Sequence, residues 1–165
     1  MAAGATYIPI ATTTLTSAAA SFGFTSIPST YTDLVLVIQV AETADGYFYI
    51  RYNNSSTAVY SRTYISGNGT SASSGRNTGF SGISGSGNPA FPSATINTFN
   101  IMNYANTTTY KTALQRQNNA GTAVDAAVWL WRNTAAISSI YVVSGLGGAD
   151  LEVGTNATLY GIAAA

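Results

Sequence analysis

Six carboxylates, one lysine, five arginines and eleven tyrosines hold most of the reactive potential of this chain, which has neither histidine nor cysteine. Without an imidazole or a thiol, the usual Ser-His-Asp and Cys-His nucleophile systems cannot be assembled. The usual tetrahedral zinc sites lack their ligands for the same reason. No Gly-x-x-x-x-Gly-Lys-Ser/Thr segment occurs, so there is no P-loop. Lys111, between Tyr110 and Thr112, reads as a mid-strand residue rather than a catalytic amine. A glycosidase needs two carboxyl groups facing each other across a sugar. Here Asp33 and Glu42 open and close one apolar run, Asp45 lies in a turn, and Asp125, Asp150 and Glu152 fall at strand edges or in loops. No spacing sets two of them face to face. Asp150 and Glu152 alternate with Leu151 and Val153, so both can face one side, where Asn oxygens could complete a calcium site. Solvated strand ends are the plainer reading. We therefore expect no enzyme, no catalytic residue, no metal and no cofactor.

Binding is the chemistry that remains. In Tyr47-Phe48-Tyr49-Ile50-Arg51-Tyr52, the period of two places Tyr47, Tyr49 and Arg51 on one face and Phe48, Ile50 and Tyr52 on the other. Exposed tyrosines make broad amphipathic contacts that suit protein interfaces and sugar stacking, with Tyr64 a further candidate. Partly buried tyrosines with bonded hydroxyls are the plainer alternative.

Charge narrows the partners. Asp, Glu, Lys and Arg make up 7% of the chain, against about 25% in ordinary domains. Net charge is zero, which removes self-repulsion and favours association. The bases Arg51, Arg62, Arg76, Lys111, Arg116 and Arg132 are scattered singly. Nucleic acid, which needs clustered Lys and Arg, is not an expected partner. The N-terminus lacks the basic region of a signal peptide, and no run approaches the roughly 18 apolar residues of a spanning helix, so no membrane is expected either.

The elements that must position these residues are strands. Residues 22–26, 33–42, 47–53, 58–66, 95–104, 109–118, 124–132, 137–143, 151–153 and 158–163 alternate or run apolar between Gly, Asn, Ser and Pro turn signals. The run 34–40 reads as a strand buried on both faces. Helix signals are scarce; the Ala-rich window 17–21 is too short to be stable alone. Many short strands at regular spacing predict an all-β, antiparallel jelly-roll β-sandwich in a single domain spanning 18–165. Residues 1–17 form an N-terminal arm outside the strand pattern. Residues 67–93, rich in Gly, Ser and Asn, read as a long loop, either a mobile linker or an ordered arm packing on a neighbouring subunit. The expected interface anchors are Tyr7, Ile8 and Ile10 in the arm, Phe80, Ile83 and Phe91 in the loop, and Tyr47 and Tyr49 on the aromatic strand.

Several blocks carry a resemblance. They are Phe24-Thr25-Ser26-Ile27-Pro28 with Tyr31-Thr32-Asp33-Leu34-Val35-Leu36, Arg51-Tyr52-Asn53 with Tyr60-Ser61, Asn103-Tyr104-Ala105 with Lys111, Ala136-Ile137-Ser138-Ser139-Ile140, and Leu159-Tyr160-Gly161-Ile162. Together, over about residues 14–162, the series resembles a jelly-roll module of structural proteins in tailed phages, including cyanophages. The resemblance implies a bacteriophage virion protein made in the host cytoplasm. The ending three alanines after the last block favours a capsid decoration, or cement, protein on the outer surface of the capsid. The implied partners are the major capsid protein and further copies of the chain, as a homotrimer. A tail-fibre or tail-tip module recognising host glycans is the alternative.

Overall fold

The computed structural model describes residues 6–44, 46–84, 94–119, 123–145 and 149–163. Among these residues there is no helix. The chain forms twelve strands: β1 (Tyr7–Thr14), β2 (Ser21–Phe24), β3 (Asp33–Val40), β4 (Phe48–Tyr52), β5 (Tyr60–Gly67), β6 (Ala72–Phe80), β7 (Ile83–Ser84), β8 (Thr95–Met102), β9 (Lys111–Asn119), β10 (Ala123–Trp131), β11 (Ile140–Ser144) and β12 (Asn156–Ile162). Every pairing is antiparallel. An eight-stranded sheet runs β1-β12-β3-β8-β9-β10-β5-β6, and a four-stranded sheet runs β2-β11-β4-β7. The fold is an all-β sandwich, as the strand rhythm of the sequence predicts.

The two sheets meet through large apolar side chains set by the period of two. In β3, Leu34, Leu36, Ile38 and Val40 face the core and are fully buried, while Val37 on the other face is 37% exposed. The expectation that this run is buried on both faces is corrected at Val37. The run reads as continuous because a β-branched residue also suits a half-exposed pleat. Phe48 of β4 meets Phe99 of β8 edge-on at 6.5 Å, and Tyr52 of β4 meets Trp131 of β10 at 5.5 Å. Rings in such edge-to-face pairs contribute about 0.5–1.5 kcal/mol beyond their buried area.

Two segments differ from the sequence reading. The N-terminal arm is not outside the sheet: β1 hydrogen-bonds β12 from Tyr7↔Ile162 to Thr14↔Asn156, with a register shift between Pro9 and Ala11. Edge position is what makes Pro9 tolerable, because an edge strand need not donate every N–H. The long loop is not a loop over its first half. β6 pairs with β5 from Gly67↔Ala72 to Tyr60↔Phe80, and Ile83 and Ser84 pair with Ile50 and Tyr49. The Ser- and Gly-rich composition hides β6 because its burial comes only from its partner strand; nearly all of its own side chains are exposed. Residues 85–93, the rest of the expected loop, lie outside the described residues.

The blocks quoted above serve as clasps at turns. Asn53, at φ 51°, donates from Nδ2 to the Ala136 carbonyl at 2.8 Å and accepts at Oδ1 from the Ser138 and Ser139 amides at 2.9 and 3.2 Å. Asn tolerates that left-handed backbone better than most residues. Asp33 accepts the Asn103 amide at 2.6 Å. The buried Tyr104 hydroxyl donates to the Pro28 carbonyl, and the Tyr31 ring lies directly over Gly161, where a Cβ would collide with it.

Candidate functional site

The eight-stranded sheet turns one face inward and one outward, and the outward face is the unusual one. Register and pleat place Ile65 of β5, Val124, Ala126 and Val128 of β10, Leu114 and Arg116 of β9, and Met102 of β8 on that side. Five of these aliphatic side chains are well exposed: Ile65 64%, Val124 58%, Val128 46%, Met102 40% and Leu114 39%. They line two open hollows of about 710 and 620 Å³. Ile65, Arg116 and Ala126 belong to both, so the hollows join as one groove across β6, β5, β10, β9 and β8. The charged side chains that the pleat turns outward from these five strands are Arg76 and Arg116.

The inward face of the same strands carries a polar layer beside its aromatic core. Lys111, Gln115, Gln117 and Asn97 are buried, while Leu114 is turned out. Gln115 holds this layer together: its Nε2 donates to Asn97 Oδ1 at 2.9 Å and Gln117 Oε1 at 3.2 Å, and its Oε1 accepts from Trp129 Nε1 at 2.6 Å. Lys111 Nζ donates to the Thr109 and Thr134 carbonyls at 2.8 and 3.1 Å, and burial pulls its pKa down. Its hydrogen bonds tie two turns together.

The predicted interface residues separate. Tyr7, 56% exposed, packs edge-on against Tyr160 at 6.3 Å on the β1–β12 edge. Ile8 and Ile10 are half-buried on the same strand, Ile10 against the core. Phe80 also packs on the core and meets Trp129 edge-on at 5.3 Å. Ile83 is 1% exposed. Phe80 and Ile83 are therefore anchors for this chain's own sandwich rather than for a neighbour, because β7 continues the four-stranded sheet over the core. Phe91 lies outside the described residues. Tyr47 and Tyr49 stand on the outer face of the four-stranded sheet with Arg51, as the alternation predicts, their rings 5.3 Å apart. Tyr64 is half-buried on the inner face of β5, with the Arg62 guanidinium 4.4 Å from its ring centre.

Among the described residues the carboxylates form no metal-holding cluster. Glu42 is fully buried and accepts Ser144 Oγ at 2.9 Å; burial pushes its pKa up, against the lowering effect of bonds from Ser144 and the Gly145 backbone. Asp33 serves the Asn103 turn, and Asp125 sits within β10.

The sequence reading missed the groove. Its aliphatic residues sit singly in polar strands, Leu114 between Ala113 and Gln115 and Ile65 between Tyr64 and Ser66. Only the lateral register of five strands joins them into one surface. Comparison with protein-family models, with curated proteins and with solved structures finds no match.

Proposed function

We propose that this chain is a non-enzymatic structural protein of a bacteriophage particle, a capsid decoration protein that docks on the outer capsid surface through the groove of its eight-stranded sheet. The observation that carries the docking role is the groove itself: five exposed aliphatic side chains and two arginines on one wide sheet face. Apolar patches of that kind on a folded surface mark contact sites. Each side chain is already about half covered, so its full burial contributes roughly 1 kcal/mol. The chain's zero net charge and 7% charged residues favour such contacts.

The phage setting rests on the sequence resemblance. It is supported by the strand order, in which β1-β12-β3-β8 are consecutive in one sheet and β2-β11-β4-β7 make up the other, and successive strands from β1 to β4 alternate between sheets. We read these eight strands as two interleaved Greek keys, a jelly roll, with β5-β6 and β9-β10 as two added hairpins that widen one sheet. The groove lies on that added width. A homotrimer on the capsid is part of the same proposal, and a protein that binds only the assembled shell stabilises it by mass action.

Immunogold labelling of particles from the phage that encodes the chain tests this. Gold over the head is expected, and Ile65→Asp with Val128→Asp is expected to remove it. Gold confined to the tail would overturn the decoration role.

A further inference from the structure

We propose that the outer face of the four-stranded sheet is a second binding surface, a platform for a polysaccharide chain bearing carboxylate groups, formed by Tyr47, Tyr49, Tyr141 and Arg51. The alternation of β4 turns Tyr47, Tyr49 and Arg51 outward, and Tyr141 of β11 is the register partner of Arg51. Tyr47 and Arg51 are four residues apart, about 13 Å along a strand, and Tyr141 lies about 4.8 Å to the side. That span suits a short run of sugar rings.

Two glycines shape this surface. The Tyr47 ring lies against Gly145, just past the end of β11, where any Cβ would collide with it. A Cβ on Gly23 would sit 2.6 Å from Cδ1 of Tyr141. Both rings therefore lean the same way across the sheet, from β4 onto β11 and from β11 onto β2, pressed along the backbone instead of standing off it. A ring lying along the sheet offers one broad face, and the C–H groups of a pyranose pack on such a face while its hydroxyls reach the phenol; Tyr49 stands at 79° to Tyr47 and borders that face with its edge.

Arg51 decides the charge of the ligand. It is the one charged residue in β2, β4, β7 and β11. Its guanidinium carbon is 5.4 Å from the Tyr49 ring centre, and its Nε donates to the Ser81 carbonyl at 3.2 Å. Those contacts fix the fork of donors that binds carboxylates beside the rings.

Affinity electrophoresis of the whole chain in gels containing polygalacturonate, alginate or polysialic acid, with dextran as the neutral polymer, tests the platform. Retardation by at least one acidic polymer and not by dextran is expected. Tyr49→Ala and Tyr141→Ala should each weaken it about tenfold, the effect of a ~1.4 kcal/mol contact, while Tyr49→Phe keeps it and Arg51→Gln removes the preference for acidic polymers. If Tyr141→Ala melts early, Tyr47→Ala, at the most exposed of the three rings, takes its place. No retardation by any acidic polymer, equal retardation by dextran, or unchanged retardation of folded alanine variants would each overturn the proposal. Capsid docking uses the opposite sheet, so failure here leaves that reading standing and the reverse also holds.

Discussion

Trp129 Nε1 donates to Gln115 Oε1 at 2.6 Å, diagonally across the β9–β10 pair, and this bond joins the polar layer beneath the added hairpins to the aromatic core. Gln115 is 4% exposed and also donates to Asn97. Gln115→Met keeps the volume and strips all three side-chain bonds, leaving the Trp129 N–H and Asn97 Oδ1 without that partner in a buried layer. The expected loss is about 2–4 kcal/mol, from roughly 1–3 kcal/mol per buried group left unbonded. Urea unfolding checks it, and the double variant Gln115→Met with Trp129→Phe should recover part of the loss.

Tyr52 and Tyr60 look equivalent in sequence and are not equivalent in the fold. The Tyr60 hydroxyl accepts the Tyr52 amide at 3.0 Å, whereas the buried Tyr52 hydroxyl has no hydrogen-bond partner among the described residues. Tyr60→Phe should cost about 1–2 kcal/mol, since it leaves a buried N–H unbonded. Tyr52→Phe should be neutral or stabilising, since it removes an unbonded hydroxyl. Thermal melts of the two single variants separate these outcomes; equal effects would contradict the assignment.

Alkaline pH reads the same tyrosines. Burial raises the pKa of Tyr60 from 10.0 to about 12 and pushes Tyr52 well above 10.0 and Tyr104 upward. The folded state thus holds protons that the unfolded state releases. Their stabilising effect is complete below pH 10 and is lost as pH climbs from there toward the folded values. Lys111, with a pKa lowered from 10.5 by burial, acts in the opposite sense, and three phenols outweigh one amine. Melting temperature should fall above pH 10, with phenolate absorbance rising in step with unfolding.

The strands that sequence reasoning finds are those whose own residues carry the alternation. β3 and β4 place apolar residues at every second position on the core side, β8 and β10 do so over their second halves (Phe99 and Ile101; Ala127, Trp129 and Trp131), and the predicted limits of all four lie within a few residues of the observed ones. β6 carries Gly75, Asn77 and Gly79 and takes its conformation from β5, so no local pattern marks it. β9 inverts the usual pattern. Its alternation of Thr112, Leu114 and Arg116 is real, but the more apolar side faces out, because Gln115 and Lys111 find partners inside. The tyrosine row of β4 was legible because one strand holds it; the groove was not, because it needs five.

Glu42 gives a prediction at the acid end. Its raised pKa means the folded state binds a proton more readily than the unfolded chain. Stability from this group is full below pH 4.5 and declines as pH rises through 4.5 to the folded value. Glu42→Gln should abolish that slope between mildly acidic and neutral pH. Urea midpoints of both proteins across this range test it; parallel curves would place the carboxylate elsewhere than in the buried contact with Ser144.

Charge placed in the groove tests docking apart from folding. Ile65 and Val128 are 64% and 46% exposed, so Ile65→Lys and Val128→Lys remove little buried area. Substitutions at exposed positions usually change stability by no more than about 0.5 kcal/mol, and Ile65→Lys should stay within that. Val128, closer to the middle of the groove, should cost slightly more. Both sit beside Arg116, so each added lysine also places like charge against like. A neutral chain with an apolar face should self-associate at high concentration, and the two lysines should suppress this while leaving the melting temperature nearly unchanged. Light scattering across a concentration series reads the first effect and a thermal melt the second. Suppressed association in a folded variant identifies the groove as the adhesive surface, while unchanged association would move that role to the Tyr7 edge of β1.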